Sequence, residues 1–299
     1  MRMPPLPADS IHARACKLKC EKILTRPNKK LLKQIWPLLI LLAIAVFAPA
    51  IAPWDPWEMT EPFLRPSAQH LLGTNDLGQD ILSELIYGTR TSLIVGFSAA
   101  LIITVFGSFI GACAAYFGGW IDAVIMVFVN VALAIPSLPL IIVLSAFLNR
   151  SIWNIILCIC LTGWVGTARI VRSQTLRLKE MGFIRNCRTM GCGPFYIITQ
   201  HILPNLKEII LTKGLLSVAS AMLTETSISY LGLGPMASKS WGSTLNDAFR
   251  VGGIFNGYWW WYLPPIICIS LTIFCFLSLK GLQAENGNST LQNRKEKKQ

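Results

Sequence analysis

Six runs of mostly apolar residues, each about as long as a helix that crosses a bilayer, constrain this chain more than any other feature. A hydrocarbon core about 30 Å thick takes roughly 20 residues at about 1.5 Å each. The runs cover residues 35–53, 92–116, 121–148, 152–170, 209–231 and 259–279. With 53% hydrophobic and 14% charged residues over 299, the solvent of this fold is lipid, and a soluble globule is excluded. The expected fold class is all-α, a polytopic membrane protein with six transmembrane helices. The last run opens on Trp259, Trp260, Trp261 and Tyr262, an aromatic cluster suited to a membrane interface. Pro136 and Pro139 inside the third run predict a bend there.

The net charge of +12 is divided among blocks between the runs, which speaks for topology and against a nucleic-acid-binding face. Arg2, Arg14, Lys17, Lys19, Lys22, Arg26, Lys29, Lys30 and Lys33 precede the first run, against Asp9 and Glu21. The following segment reverses the sign, with Asp55, Glu58, Glu61, Asp76, Asp80 and Glu84 against Arg65 and Arg90. Residues 169–213 are basic again, and so is the tail with Arg294, Lys295, Lys297 and Lys298. The bias of Lys and Arg towards the inside predicts both termini in the cytoplasm. The nine cysteines fall in basic or apolar segments and none in the acidic ones, so free thiols are expected.

Ala48-Pro49-Ala50 has the small residues of a signal-peptide cleavage site, but the first run is long for that role and the proline is awkward beside a cut. The expected division is a basic cytoplasmic tail over residues 1–34, a membrane domain over 35–283 and a cytoplasmic tail over 284–299. The polar composition of residues 287–299 predicts disorder.

Three segments between or within the runs carry chemistry. In residues 182–205 Phe183, Ile184, Cys187 and Met190 fall at helical spacing, Gly191 and Gly193 interrupt, and Pro194 can open a second helix. Two short helices about a glycine turn are expected. In residues 70–93, Gly73, Asn75, Asp76 and Gly78 form a turn ahead of a short helix with Ile81, Leu82, Leu85 and Ile86 on one face. The fifth run is polar for its position. Glu225 lies in it among Thr224, Thr226, Ser227 and Ser229, and a carboxylate against lipid costs about 2.5–3.5 kcal/mol, so it faces the subunit interior as a candidate pathway residue.

Residues 182–205 resemble the coupling loop of binding-protein-dependent ABC importer permeases, in which Glu-Ala-Ala is followed by a glycine and a closing hydrophobic-x-Leu-Pro. Gly191 takes the glycine position and His201, Ile202, Leu203 and Pro204 the closing one, while Arg185 stands at the glutamate and Asn186 and Cys187 at the alanines. Leu72-Gly-Thr-Asn-Asp-Leu-Gly-Gln-Asp80 is similar to the Leu-Gly-Thr-Asp-x-x-Gly-Arg-Asp segment of the second permease subunit of dipeptide, oligopeptide and nickel importers, with Gln79 in place of the arginine. Glu225-Thr-Ser-Ile-Ser-Tyr-Leu-Gly-Leu-Gly234 and Trp241-Gly242 resemble further segments of that subfamily. The resemblance implies the type I, MetI-like permease fold in an inner membrane. It further implies a homologous second permease, two cytoplasmic ATPase subunits or domains and an extracytoplasmic solute-binding protein as partners. Import of short peptides is the first expectation and of nickel or metal chelates the second.

There is no Gly-x-x-x-x-Gly-Lys-Ser/Thr phosphate loop, so ATP must bind another chain and the subunit is expected to be neither an enzyme nor a cofactor protein. A secondary transporter would place more ionisable residues inside its spans than Glu225, with Asp122 and Lys213 near span ends. His12, Cys16 and Cys20 recur every four residues, a weak candidate for a soft-metal site.

Overall fold

The computed structural model describes residues 29–296, and the His12, Cys16 and Cys20 candidate lies outside them. Helix α1 spans Lys29–Val46. A segment that begins with a short helical turn, Ala48–Ile51, and is otherwise irregular follows and ends at Asp80, whose side chain accepts from the Ser83 amide at 2.8 Å and so caps α2, Ile81–Phe117. The expected short helix before the second run is the beginning of this one continuous helix. At 37 residues it is about 55 Å long and extends well beyond the hydrocarbon. Gly118, at φ 68°, turns the chain sharply into α3, Gly119–Ala134.

Ile135 and Pro136 leave the helical conformation, and α4, Ser137–Phe147, departs from α3 at 85°. The expected bend is therefore a break. Helix α5, Ile152–Lys179, is capped by the Ser151 hydroxyl. The short α6, Gly182–Thr189, leads through a turn into residues 194–205 and then α7, Lys207–Ile228, which continues as a π-helical turn, Ser229–Leu233. Helix α8, Trp241–Arg250, begins with a reciprocal Ser240 and Ser243 capping box, and α9 spans Trp259–Glu296. The backbone of α9 thus stays helical across most of 287–299, where disorder was expected. No proline interrupts that stretch, and Leu291, Gln292, Arg294, Lys295 and Glu296 are good helix formers.

Among the described residues four helices are long and apolar enough to cross a membrane, and the bent α3–α4 pair makes a fifth crossing if it is one span. Helix α1, whose apolar part is Trp36–Val46, occupies the first of the expected positions, so the architecture is compatible with six. Among the described residues the β-structure is one isolated bridge, Thr74 to Asp80.

Helix α2 is the central post. It packs most extensively on α5 and α7, while α9 packs on α7, α8 and α1. Lipid supplies no hydrophobic drive between helices, so close approach depends on small residues. Gly107 and Gly111 provide it: a Cβ at Gly107 would sit 2.7 Å from the Trp164 carbonyl, and one at Gly111 would overlap the Ala168 carbonyl on α5. Arg172 on α5 also donates two hydrogen bonds, of 2.5 and 2.6 Å, to Asp122 on α3.

Of the aromatic cluster expected at the interface, Trp259 is exposed, but Trp260 and Trp261 are buried. They pack beneath the segment before α2, where Phe63 meets Trp261 edge to face and a Cβ at Gly73 would lie 3.1 Å from Trp260 Nε1. The described cysteines are all free.

Candidate functional site

The loop between α5 and α7 has the two-armed form expected of it. Helix α6 ends in a Schellman motif, with the Cys192 amide donating to the Cys187 carbonyl at 3.1 Å and the Gly191 amide to the Arg188 carbonyl at 3.0 Å. Gly191 sits at φ 78°, where a side chain costs about 1–2 kcal/mol. Gly193 is extended and Pro194 takes a first-turn position in the second arm. This arm is a short α-turn, Pro194–Tyr196, then a π-helical turn, Ile197–Ile202, then Leu203–Asn205.

The two arms share one apolar seam. Ile184 from α6 and Ile197, Ile198 and Ile202 from the second arm are fully buried against Ala112 and Tyr116 of α2 and Val171 of α5. Arg188 also points to α2. Its guanidinium lies 4.7 Å from the Tyr116 ring centroid and its Nε donates to the Tyr116 hydroxyl at 3.4 Å. The loop is therefore fastened to the ends of two long helices rather than strung between them.

The expected coupling residues divide by face. Arg185, Asn186, Gly191 and Pro204 are exposed, whereas Cys187 and Leu203 pack against the buried seam and His201 is partly buried. The Cys187 Sγ lies 3.8 Å from His201 Nε2 and joins the two arms. Phe183, Ile184, Cys187 and Met190 share a helical spacing but not one environment. Ile184 and Cys187 point inward, while Phe183 is exposed and Met190, at the helix end, is 82% exposed. With Phe195 and Tyr196 also outward, the tip is apolar and carries Arg185 with no acidic residue between Met181 and Asn205. Such a surface is suited to burial against a protein partner.

Glu225 is fully buried, as expected. Its two carboxylate oxygens accept from Ser92 on α2 at 3.1 Å and from Ser229 at 2.7 Å. It joins α2, α7 and the π-turn.

A second buried carboxylate escaped the sequence reading. Glu84, in the first turn of α2, is fully buried, and one of its oxygens accepts from Lys239 Nζ at 2.6 Å and from Asn75 Nδ2 at 3.0 Å. Lys239 also donates to Gln79 Oε1 at 2.6 Å, and His70 meets Asp80 at 3.0 Å. The glycine turn expected over residues 73–78 is thereby the centre of a polar knot that ties the segment before α2, α2 itself and the loop leading into α8. No local signal marks Glu84, because its partner Lys239 lies 155 positions along the chain. Among the described residues no cluster of three His, Cys, Asp or Glu side chains could hold a metal ion.

Comparison with known proteins agrees with this arrangement. Residues 103–285 match the family described as binding-protein-dependent transport system inner membrane component. The dipeptide transport system permease protein DppC of Bacillus subtilis is 38% identical over 262 residues, 86% of this chain and 81% of that protein. The oligopeptide transport system permease protein OppC is 32% identical in Bacillus subtilis, over 84% of this chain and 82% of that protein. In Mycobacterium tuberculosis it is 33% identical, over 83% and 86%. Among solved structures, an inward-facing form of the MetNI methionine ABC transporter aligns with TM-score 0.54 at 16% identity, covering 68% of this chain and 97% of that one. That likeness establishes the shared fold.

Proposed function

The chain belongs to the family of binding-protein-dependent transport system inner membrane components, and on that premise we propose that it imports short peptides as one of two permeases of an ATP-driven complex. It is a transport subunit of several membrane crossings and not an enzyme. The relatives named for dipeptide and oligopeptide transport favour peptides over nickel or metal chelates. Two ATPase subunits or domains face the cytoplasm, and a solute-binding protein delivers substrate outside. Both termini are cytoplasmic, following the distribution of Lys and Arg.

Residues 182–205 act as the lever. The observation that carries this reading is the seam of Ile184, Ile197, Ile198 and Ile202 on α2 and α5, because a force on the exposed tip is passed to two long helices without an intervening flexible joint. Closure of the ATPases against Arg185, Asn186, Phe183 and Met190 would shift α2 and α5 together, and the pathway would open outward.

The test uses the complex reconstituted with its binding protein. Gly191→Leu strains the turn, and Met190→Pro removes the amide that donates to the Asn186 carbonyl at 3.0 Å. Both variants are expected to assemble with the partner permease while losing coupling of ATP hydrolysis to uptake, or releasing the ATPase. Normal uptake per ATP in both variants would reduce the loop to a connector.

A further inference from the structure

A cleft of about 690 Å³ opens on the side assigned above to the outside, within the range of small-molecule sites. Its walls are the π-turn at the end of α7, residues 234–239, α8 and the turn that carries Arg150. The Met236 amide donates to the Arg150 carbonyl at 3.3 Å and holds that turn against the loop.

The charges in the cleft are unequally satisfied. Lys239 is fixed by Glu84 and Gln79 beneath it. Arg250 lies 4.0 Å from Asp247, a long contact. Arg150 has no ion pair among the described residues. The Ser238 hydroxyl oxygen is buried in the same wall and has no hydrogen-bond partner. A cation and a hydroxyl thus line the same cleft with unused donors, and a carboxylate takes donors of both kinds. Asp247 offers the opposite end. Burial pushes its carboxyl above the ordinary range despite the opposing charge of Lys239, and a further ammonium beside it would relieve that.

We propose that this cleft is a binding site for the zwitterionic backbone of a short peptide, with the terminal carboxylate on Arg150 and Ser238 and the terminal ammonium towards Asp247. This rests on the peptide-import reading for its choice of ligand. The site would receive substrate between its release outside and its passage inward. Recognition by the charged termini leaves side chains unread, as a carrier of varied peptides requires.

The experiment places a reporter at the rim. Met236 is exposed and lines the cleft, and no cysteine lies in the outer segments, so Met236→Cys can be labelled from outside with a membrane-impermeant maleimide. The assembled complex is used without its binding protein. Dialanine at millimolar concentration is expected to slow labelling at least threefold, dialanine amide to slow it little, and Arg150→Gln in the same background to abolish the protection. Equal protection by dialanine and its amide, protection that survives Arg150→Gln, or no protection would overturn the proposal. Protection by acetate equal to that by dialanine would show a generic anion site and also overturn it, as would a response only to added binding protein, which would make the cleft a docking surface. Dialanine uptake by the complete complex is measured separately: its absence would remove the transport reading, while the labelling result reports the cleft alone.

Discussion

Lys239 ties the loop before α8 to Gln79 and to Glu84 at the start of α2. It supplies the only charge opposite Glu84 within ion-pair distance among the described residues, and removing one partner of a buried pair typically costs about 3–5 kcal/mol. Lys239→Met is therefore expected to lower the unfolding temperature of the purified subunit markedly, and Glu84→Gln added to it to restore most of the loss. A double variant as unstable as the single one would show that Lys239 matters for some reason other than this charge. At Glu225 the geometry makes a different forecast. The hydroxyls of Ser92 and Ser229 can turn to accept as well as donate, so Glu225→Gln should keep the helices joined, whereas Glu225→Leu strands two buried hydroxyls at about 1–3 kcal/mol. Thermal unfolding of both variants separates the bridging role, and uptake by Glu225→Gln across a range of pH reports any role in transport. The sequence was informative about Glu225, because a carboxylate in an apolar run can hardly face lipid. It was silent about Glu84, because a carboxylate beside a turn reads as solvated until Lys239, 155 positions away, is known to reach it.

Among the elements, the helices themselves were legible from run length, and the turn at Gly191 from glycine and proline placement. What periodicity could not supply was the direction of α6. Phe183 and Met190 share the spacing of Ile184 and Cys187, and only the position of α2 and α5 decides which of them is covered. The extent of α2 was hidden for a related reason: its first turns are polar and pack on α8 and the segment before α2, so the apolar run begins about three turns after the helix does. The Gly107 and Gly111 pair was in plain view as a Gly-x-x-x-Gly in an apolar run, a signal the reading did not use. Gly111→Leu must separate α2 from α5, since the added side chain meets the Ala168 backbone rather than a movable side chain. The expected outcome is loss of folded subunit from the membrane and increased proteolysis, with Gly166→Leu, where the Cβ meets open space, as the tolerated control. Equal tolerance of both changes would mean that the helices can part without consequence.

For the whole molecule, the distribution of charge gave an expected orientation and the run count an architecture compatible with six crossings, but neither could reveal that the third run is two helices, α3 and α4, set at 85° to each other. That break has a consequence for how the protein is made. Helix α3 has 16 residues and α4 has 11, about 24 and 16 Å of helix respectively, so neither half alone matches the hydrocarbon thickness as it leaves the insertion machinery. Their partners are synthesised on either side: α2 is already present, but α5, with Arg172 for Asp122 and the apolar wall that receives α4, is still to come. Integration of this segment should therefore lag behind its synthesis. A chain truncated at residue 150 and carrying a glycosylation acceptor at its end is expected to be glycosylated poorly in microsomes, and one extended through residue 179, with the acceptor kept in the turn at residues 149–151, efficiently. The broken helix makes the order of biogenesis a property of the fold, with α3 and α4 settled only when α5 arrives to hold them.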